Sequence, residues 1–335
     1  MIAQAKSQDQ PVRWQQELVQ AISNPIELLR LLDLDPTRLP EPLASENSFR
    51  LRVPRGYVAR MRKGDPQDPL LRQVLPLAAE DGTVPGYVTD PVRDLQALRV
   101  PGVLRKYLGR ALIVTTGACA IHCRYCFRRH YPYCDSNPAT DQWRQALRYL
   151  ATETSINEVI LSGGDPLTLS DQRLSELTQA LAAIPHIKRL RVHTRLPVVL
   201  PERVNDELLS WLVGTRLNPV VVVHANHPNE IDTSVRDAIR CLRDVDVTVL
   251  NQSVLLQGVN DNADTLCNLS EVLFDAGVLP YYLHLLDPVQ GAAHFDVDET
   301  NATRLMEVIR TRLPGYLVPR LVRELPGAPY KVPIT

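Results

Sequence analysis

From residue 111 onward, short apolar runs alternate with segments whose apolar residues recur at helical spacing. The runs at 111–115, 158–161, 190–193, 219–224, 247–251 and 279–285 are rich in β-branched residues and almost continuous in apolar character, as strands buried on both faces should be. The segments 140–152, 170–183, 203–213, 231–243, 262–276 and 297–312 carry apolar residues three and four apart, which predicts helices packed by one face. Strands alternating with helices imply parallel βαβ units with right-handed crossovers. Six such units make either a partial (β/α)6 TIM-like barrel or an open doubly wound sheet.

The polar residues favour the barrel. Each apolar run empties into a loop of chemically capable residues: 115–126, then Ser162-Gly-Gly-Asp-Pro166, His193-Thr-Arg195, His224-Ala-Asn-His-Pro-Asn-Glu230, Asn251-Gln-Ser253 and Asp287-Pro-Val-Gln-Gly291. Chemistry in βα architectures gathers at the carboxyl ends of strands, so six consecutive strands ending this way predict one shared site. Residues 1–105 read as a helical, loop-rich extension packed on the barrel. They hold two amphipathic segments (12–22 and 25–33) followed by proline-rich connections such as Leu39-Pro-Glu-Pro42. The barrel core is expected over 106–315 and a C-terminal tail over 316–335.

Composition narrows the setting. A hydrophobic content of 44% and a net charge of −1 describe an ordinary globular protein without a broad surface for nucleic acid or membrane. No apolar run approaches the roughly 18 residues of a membrane span, and the polar start lacks an apolar signal core, so a cytoplasmic protein is expected.

Cys119, Cys123 and Cys126 fall inside eight residues, spaced three and then two apart. Three thiolates in that register can hold a four-iron cluster with one iron left open, whereas four would close it. Other readings of the cysteines are a zinc clip completed by Cys134, His122 or His130, a redox dithiol at Cys123 and Cys126, or plain packing. Cys134, Cys241 and Cys267 are assigned to packing. The run Ser162-Gly163-Gly164-Asp165 follows a strand. Its glycines admit close backbone approach to a ligand, with amides for a carboxylate and carbonyls for an ammonium; alone it could be a simple βα turn.

Together these runs resemble the radical S-adenosylmethionine enzymes and, over nearly the whole length, the lysine 2,3-aminomutase family. Further matching stretches are Asp68-Pro-Leu-Leu-Arg-Gln-Val-Leu-Pro76, Cys123-Arg-Tyr-Cys-Phe-Arg-Arg129, Asn226-His-Pro-Asn-Glu230, Asn251-Gln-Ser-Val-Leu-Leu256, Gly258-Val-Asn260 and Leu325-Pro-Gly-Ala-Pro-Tyr-Lys331.

The resemblance implies a [4Fe–4S] cluster on Cys119, Cys123 and Cys126, with S-adenosylmethionine bound to its open iron. Residues Ser162, Gly163, Gly164 and Asp165 would hold the methionine moiety, and His224 and Gln252 would contact the same cofactor. Lys331 matches the lysine that carries pyridoxal 5′-phosphate as a Schiff base. Arg110 matches a basic residue on that cofactor, and Lys106 stands where the family has an arginine. Arg128 matches the arginine that grips the substrate carboxylate. Asp287 and Glu324 match the acidic pair that receives the remote ammonium of L-lysine; two adjacent carboxylates suit a cation between them. Glu324 replaces the family's usual aspartate.

The implied reaction interconverts L-α-lysine and (R)-β-lysine with an external electron donor. The chain stops just after Lys331 without the C-terminal extension of longer members. It thus resembles the short bacterial enzymes whose product goes to elongation factor P through a lysine ligase. Alternatives are a stand-alone aminomutase of catabolism or antibiotic synthesis and, in another class, a zinc-clipped protein using Arg124, Arg128 and Arg129 on RNA. Lys331 could also be a solvated lysine on a frayed tail. The Pro-Gly pair ahead of it predicts a turn that sends the tail back to the barrel mouth.

Overall fold

The computed structural model describes residues 13–45, 49–133 and 140–335. Four short helices come first: α1 (Arg13–Val19), α2 (Pro25–Leu31), α3 (Arg55–Val58) and α4 (Pro69–Arg72). Asn24 and Asp68 cap α2 and α4 by accepting from the first free amides, and a proline follows each, the arrangement that starts a short helix. Trp14, Leu28, Leu29, Leu70 and Leu71 are buried in the same core cluster as the barrel strands, so this region is packed on the barrel.

The strands follow as β1 (Leu98–Val100), β2 (Val103–Leu104) and β3 (Arg110–Thr116). After α5 (Thr140–Thr152) come β4 (Glu158–Gly163), α6 (Asp171–Ala182), β5 (Arg189–Thr194), α7 (Leu196–Val199), α8 (Asp206–Val213) and β6 (Asn218–Val223). The chain then runs α9 (Thr233–Asp244), β7 (Thr248–Val254), α10 (Ala263–Asp275), β8 (Leu279–His284), α11 (Glu299–Arg312), β9 (Arg320–Arg323) and β10 (Val332–Pro333). The helices bury the stripe their sequence predicts; α9 turns inward Val235, Ala238, Ile239 and Leu242, three and four apart.

Strand order decides between the two architectures. Among the described residues the sheet has ten strands in strict chain order, β1 to β10. A doubly wound sheet would reverse its order at a switch point; this one never does. β3 to β9 pair in parallel, and the result is the partial barrel. The six expected strands are present, but the sheet extends further. β9 adds a seventh parallel strand, and β1, β2 and β10 add antiparallel edges. These additions are two to four residues long, too short to give a readable period. No described helix is long and apolar enough to cross a membrane.

Candidate active site

A cavity of about 260 Å³ runs through the barrel toward the carboxyl ends of its strands, and it is lined by all fifteen residues the sequence nominated. A second void, lined by apolar residues including Leu167, Val192 and Trp211, has about 10 Å³ and no chemistry.

The inward positions of the strands build the wall. β3 supplies Arg110, β4 Ser162, β5 Arg191 and His193, β7 Gln252, and β8 Tyr282 and His284. Register places Arg110 level with Glu158 and Arg189, and Arg191 level with Ile160 one step higher. The arginines therefore sit low in the barrel, while the cysteine loop follows the upper end of β3. Arg110 lies over the Tyr107 ring with 4.7 Å to the centroid.

The loop bearing Cys119, Cys123 and Cys126 is fastened to the N-terminal region. His122 N–H donates to Arg52 O (2.9 Å) and Arg124 N–H to Gln73 O (2.9 Å). Burial pushes the Cys119 thiol well up and the Cys126 thiol to about 11. Arg195 Nη1 donates to Cys123 Sγ at 2.8 Å. Among the described residues, no group of three His, Cys, Asp or Glu side chains could hold a single metal ion. A cluster makes a different demand, because each thiolate takes its own iron. Three half-buried sulfurs on one cavity wall, where a bare thiolate is costly and iron would remove the proton outright, fit that group.

The histidines and arginines of the zinc and RNA readings are engaged within the protein. His122 Nδ1 and His130 Nε2 are engaged with the carbonyls of Arg50 (2.8 Å) and Gln290 (3.1 Å), and Cys134 lies outside the described residues. Arg124 is fully buried against Glu80, and Arg129 meets the same carboxylate at 2.7 Å. Arg128 is ion-paired with Asp94 at 2.6 Å. Arginines turned inward onto carboxylates offer nothing to an RNA backbone. Cys267 is buried as expected, but Cys241 is exposed: it occupies the outer face of α9, so packing is not its role.

The Gly-Gly segment differs from expectation. Gly164 N–H donates to Thr116 O (2.7 Å) and Asp165 N–H to Ala118 O (2.8 Å), so these amides are not left for a ligand carboxylate. The Asp165 carboxylate is also spent internally, accepting from Thr194 Oγ1 and the amides of Leu167, Arg195 and Leu196. A glycine is required at 164 because a Cβ would lie 2.4 Å from Ala118 O. Gly163 adopts φ +115°, a conformation open to glycine. The segment is a knot that sets β4 against the cysteine loop, and its own carbonyls are engaged as well, Ser162 O accepting from Thr115 Oγ1 (3.1 Å) and Gly163 O from Tyr133 Oη (2.9 Å). Gln252 Nε2 and His224 Nε2 meet at 2.9 Å, and burial, then the Arg195 charge, lower His224 to about 3.

The tail returns as its Pro-Gly pair predicts. Ala328 N–H donates to Leu325 O (3.1 Å), Gly327 has φ +82°, and Val332 pairs with Arg323 across β9 and β10. Proline followed by glycine at positive φ is a type II turn. It delivers Lys331 to the cavity, where Nζ meets Glu324 Oε2 at 2.6 Å, while Lys106 Nζ meets Oε1 at 2.7 Å. Burial alone would raise Glu324, yet the two lysines outweigh it and hold the carboxyl at about 2. Glu324 is therefore occupied by the protein's own cations and does not form an open pair with Asp287. Asp287 has no side-chain partner among the described residues, and burial, then the Glu324 charge, raise it to about 7.

Asp94 was not anticipated. It is 1% exposed and binds Arg128 through Oδ2 and Lys106 through Oδ1, both at 2.6 Å. Arg128 Nη1 also donates to Ser162 Oγ (3.2 Å). Asp94 sits in an irregular stretch with no periodic or motif signal, so only the three-dimensional pairing reveals it.

Residues 113–269 match the radical SAM superfamily. Over 322 residues the chain is 50% identical to the L-lysine 2,3-aminomutase of Escherichia coli (strain K12), covering 96% of this chain and 94% of that protein. The chain belongs to the L-lysine 2,3-aminomutase family. It is an isomerase of the radical SAM aminomutase type, a class that uses a [4Fe–4S] cluster and S-adenosylmethionine. The Haemophilus influenzae (strain ATCC 51907 / DSM 11121 / KW20 / Rd) enzyme of the same name is 48% identical over 95% of this chain and 94% of its own. The Clostridium subterminale enzyme is 34% identical over 86% of this chain but 69% of its own length. This aminomutase thus matches the E. coli and H. influenzae relatives almost end to end and the clostridial one in part.

Proposed function

We propose that the chain converts L-α-lysine to (R)-β-lysine and depends on pyridoxal phosphate carried by Lys331. The carrying observation is that one barrel cavity gathers three thiols, an inward lysine, a guanidinium and an unpaired carboxylate. The cluster with S-adenosylmethionine would supply a hydrogen-abstracting radical, and pyridoxal phosphate a conjugated ring that stabilises the migrating amino group.

The remaining work belongs to the chain. Arg128, held by Asp94 and Ser162, presents a fixed cation to the α-carboxylate. Asp287 receives the remote ammonium; its carboxyl, raised by burial, is restored to the charged form by an arriving cation. Glu324 holds Lys331 and Lys106 in place. Arg110 and Lys106 would hold the pyridoxal group, while Gln252, His224 and the Ser162–Asp165 segment would line the methionine end of the sulfonium cofactor. The enclosed wall excludes water from a reactive radical.

The near end-to-end match to the shorter relatives supports the same reading for destination: a cytoplasmic enzyme, fed by an external electron donor, whose product is attached to elongation factor P by its lysine ligase. The test is anaerobic incubation of the reduced, reconstituted enzyme with L-lysine, S-adenosylmethionine and pyridoxal phosphate, followed by chromatography. β-Lysine formed only when all components are present supports the proposal; unchanged lysine with a full cluster would overturn the assigned substrate.

A further inference from the structure

Arg195 follows β5 and is 4% exposed, with its side chain directed at one cysteine. Nη1 donates to Cys123 Sγ at 2.8 Å. Nη2 donates to Glu230 Oε2 (2.8 Å), Gln73 Oε1 (2.7 Å) and Tyr57 Oη (3.1 Å). The rings of Tyr57 and Tyr125 lie 5.5 and 5.8 Å from the guanidinium carbon. Its backbone N–H is held by Asp165 at 2.7 Å, so the residue is fixed at both ends.

Its partners come from separate parts of the chain. Gln73 lies just beyond α4. Glu230 follows β6, where its carboxylate also accepts from the amides of Asn226 and His227 and from Gln73 Nε2. Asn226 Nδ2 donates in turn to Gln73 Oε1 and Tyr125 Oη. Among the described residues, neither Cys119 nor Cys126 has a comparable side-chain donor; each sulfur is approached by a backbone amide, that of Asp165 and that of Arg128. The asymmetry singles out Cys123.

We propose that Arg195 is a positioning residue for the Cys123 thiolate and, through its N–H to that sulfur, sets the reduction potential of the cluster held by the three cysteines. The inference rests on the cluster reading given above. Cluster potentials respond to hydrogen bonds on sulfur, nearby charge and solvent exposure, and a buried cation favours the more negative, reduced form. Arginine suits the task because its charge persists at every working pH. Glu230 opposes that charge and also aims it, so the pair acts as a bias on the cluster as well as a brace. A purely structural brace would stabilise the fold without moving the potential.

The test is a potentiometric titration of the reconstituted enzyme followed by electron paramagnetic resonance, with iron and sulfide counted for each variant. Arg195→Gln is expected to shift the midpoint to more negative values, Arg195→Lys to stay nearer the parent, and Glu230→Gln to shift it to more positive values. Opposite signs for R195Q and E230Q at unchanged iron content support the inference. If R195Q does not fold or load iron, the sign of the E230Q shift decides it: a positive shift supports the inference, and no shift or a negative one overturns it. Midpoints within error of the parent, or shifts of the same sign in R195Q and E230Q, overturn Arg195's role while leaving the cluster intact. Lack of a four-iron signal in the parent protein would overturn the cluster reading and this inference with it.

Discussion

Lys331 Nζ and Glu324 Oε2 stand 2.6 Å apart inside the barrel, although seven residues and a reversal of direction separate them in the chain. The contact fixes the end of a flexible side chain at the cavity wall, and a second lysine, Lys106, shares the same carboxylate. The tail is thus held by charge as well as by the β9–β10 ladder.

Replacing Lys331 by alanine should abolish the visible absorbance of protein-bound pyridoxal phosphate and reduce turnover to background. Cluster content should remain at the parent level, because the lysine is not among the sulfur's neighbours. An unchanged spectrum would assign the cofactor to another lysine.

Asp287→Asn should lower kcat/KM for lysine by about 10²–10³-fold, in line with the cost of removing one partner of a buried charged pair. Iron content should not change. Equal activity would remove Asp287 from the ammonium site.

The pH profile carries an independent signature. Asp287 titrates at about 7, above the ordinary carboxylate range, so its neutral form is favoured in the empty cavity. Lysine binding needs the charged form, while the substrate ammonium stays protonated up to about pH 10. KM for lysine should therefore fall as pH rises through about 7 and then level off, and Asp287→Asn should flatten the profile. For stability the sign is opposite. A raised carboxyl contributes stability that is present at low pH and lost as pH rises through 7. The ligand-free parent should lose Tm across that window more than the asparagine variant does.

Serine at Cys119, Cys123 or Cys126 should each reduce bound iron and sulfide sharply, whereas serine at Cys241 should leave both at parent levels because that side chain is exposed. Serine at the buried Cys267 should retain the cluster and lower Tm modestly. Loss of iron in the Cys241 variant would contradict the ligand set.

Asp94→Asn strips a buried anion from two cations. Breaking such a pair costs about 3–5 kcal/mol, so a clear drop in Tm is expected along with a raised KM for lysine, since Arg128 loses the partner that orients it. Retention of both parent values would show that Asp94 has no part in the site.

Much of this was legible in the sequence because its signals are local. The six core strands announce themselves by continuous apolar runs such as Val220 to Val223, and the three cysteines by spacing. The Pro326-Gly327 turn dictates where Lys331 goes. What escaped was every feature created by long-range pairing. Asp94 meets Arg128 across 34 positions, and Arg195 meets Cys123 across 72; neither leaves a periodic trace. The Gly163-Gly164 segment is a related case. Its amides look available in sequence but are taken by Thr116 and Ala118 carbonyls, a fact of backbone packing. Glu324 resembles half of a substrate clamp in sequence, while in the fold its two oxygens are taken by Lys106 and Lys331.

Asp94 also bears on how the molecule can be cut. It belongs to the stretch ahead of β1, yet it neutralises cations on the loop after β3 and just beyond β2. A fragment trimmed to begin at residue 106 would leave Arg128 and Lys106 without the carboxylate that ion-pairs with both. The catalytic half of this chain is therefore not separable from its leading segment, and any minimal version must keep the residue that couples them.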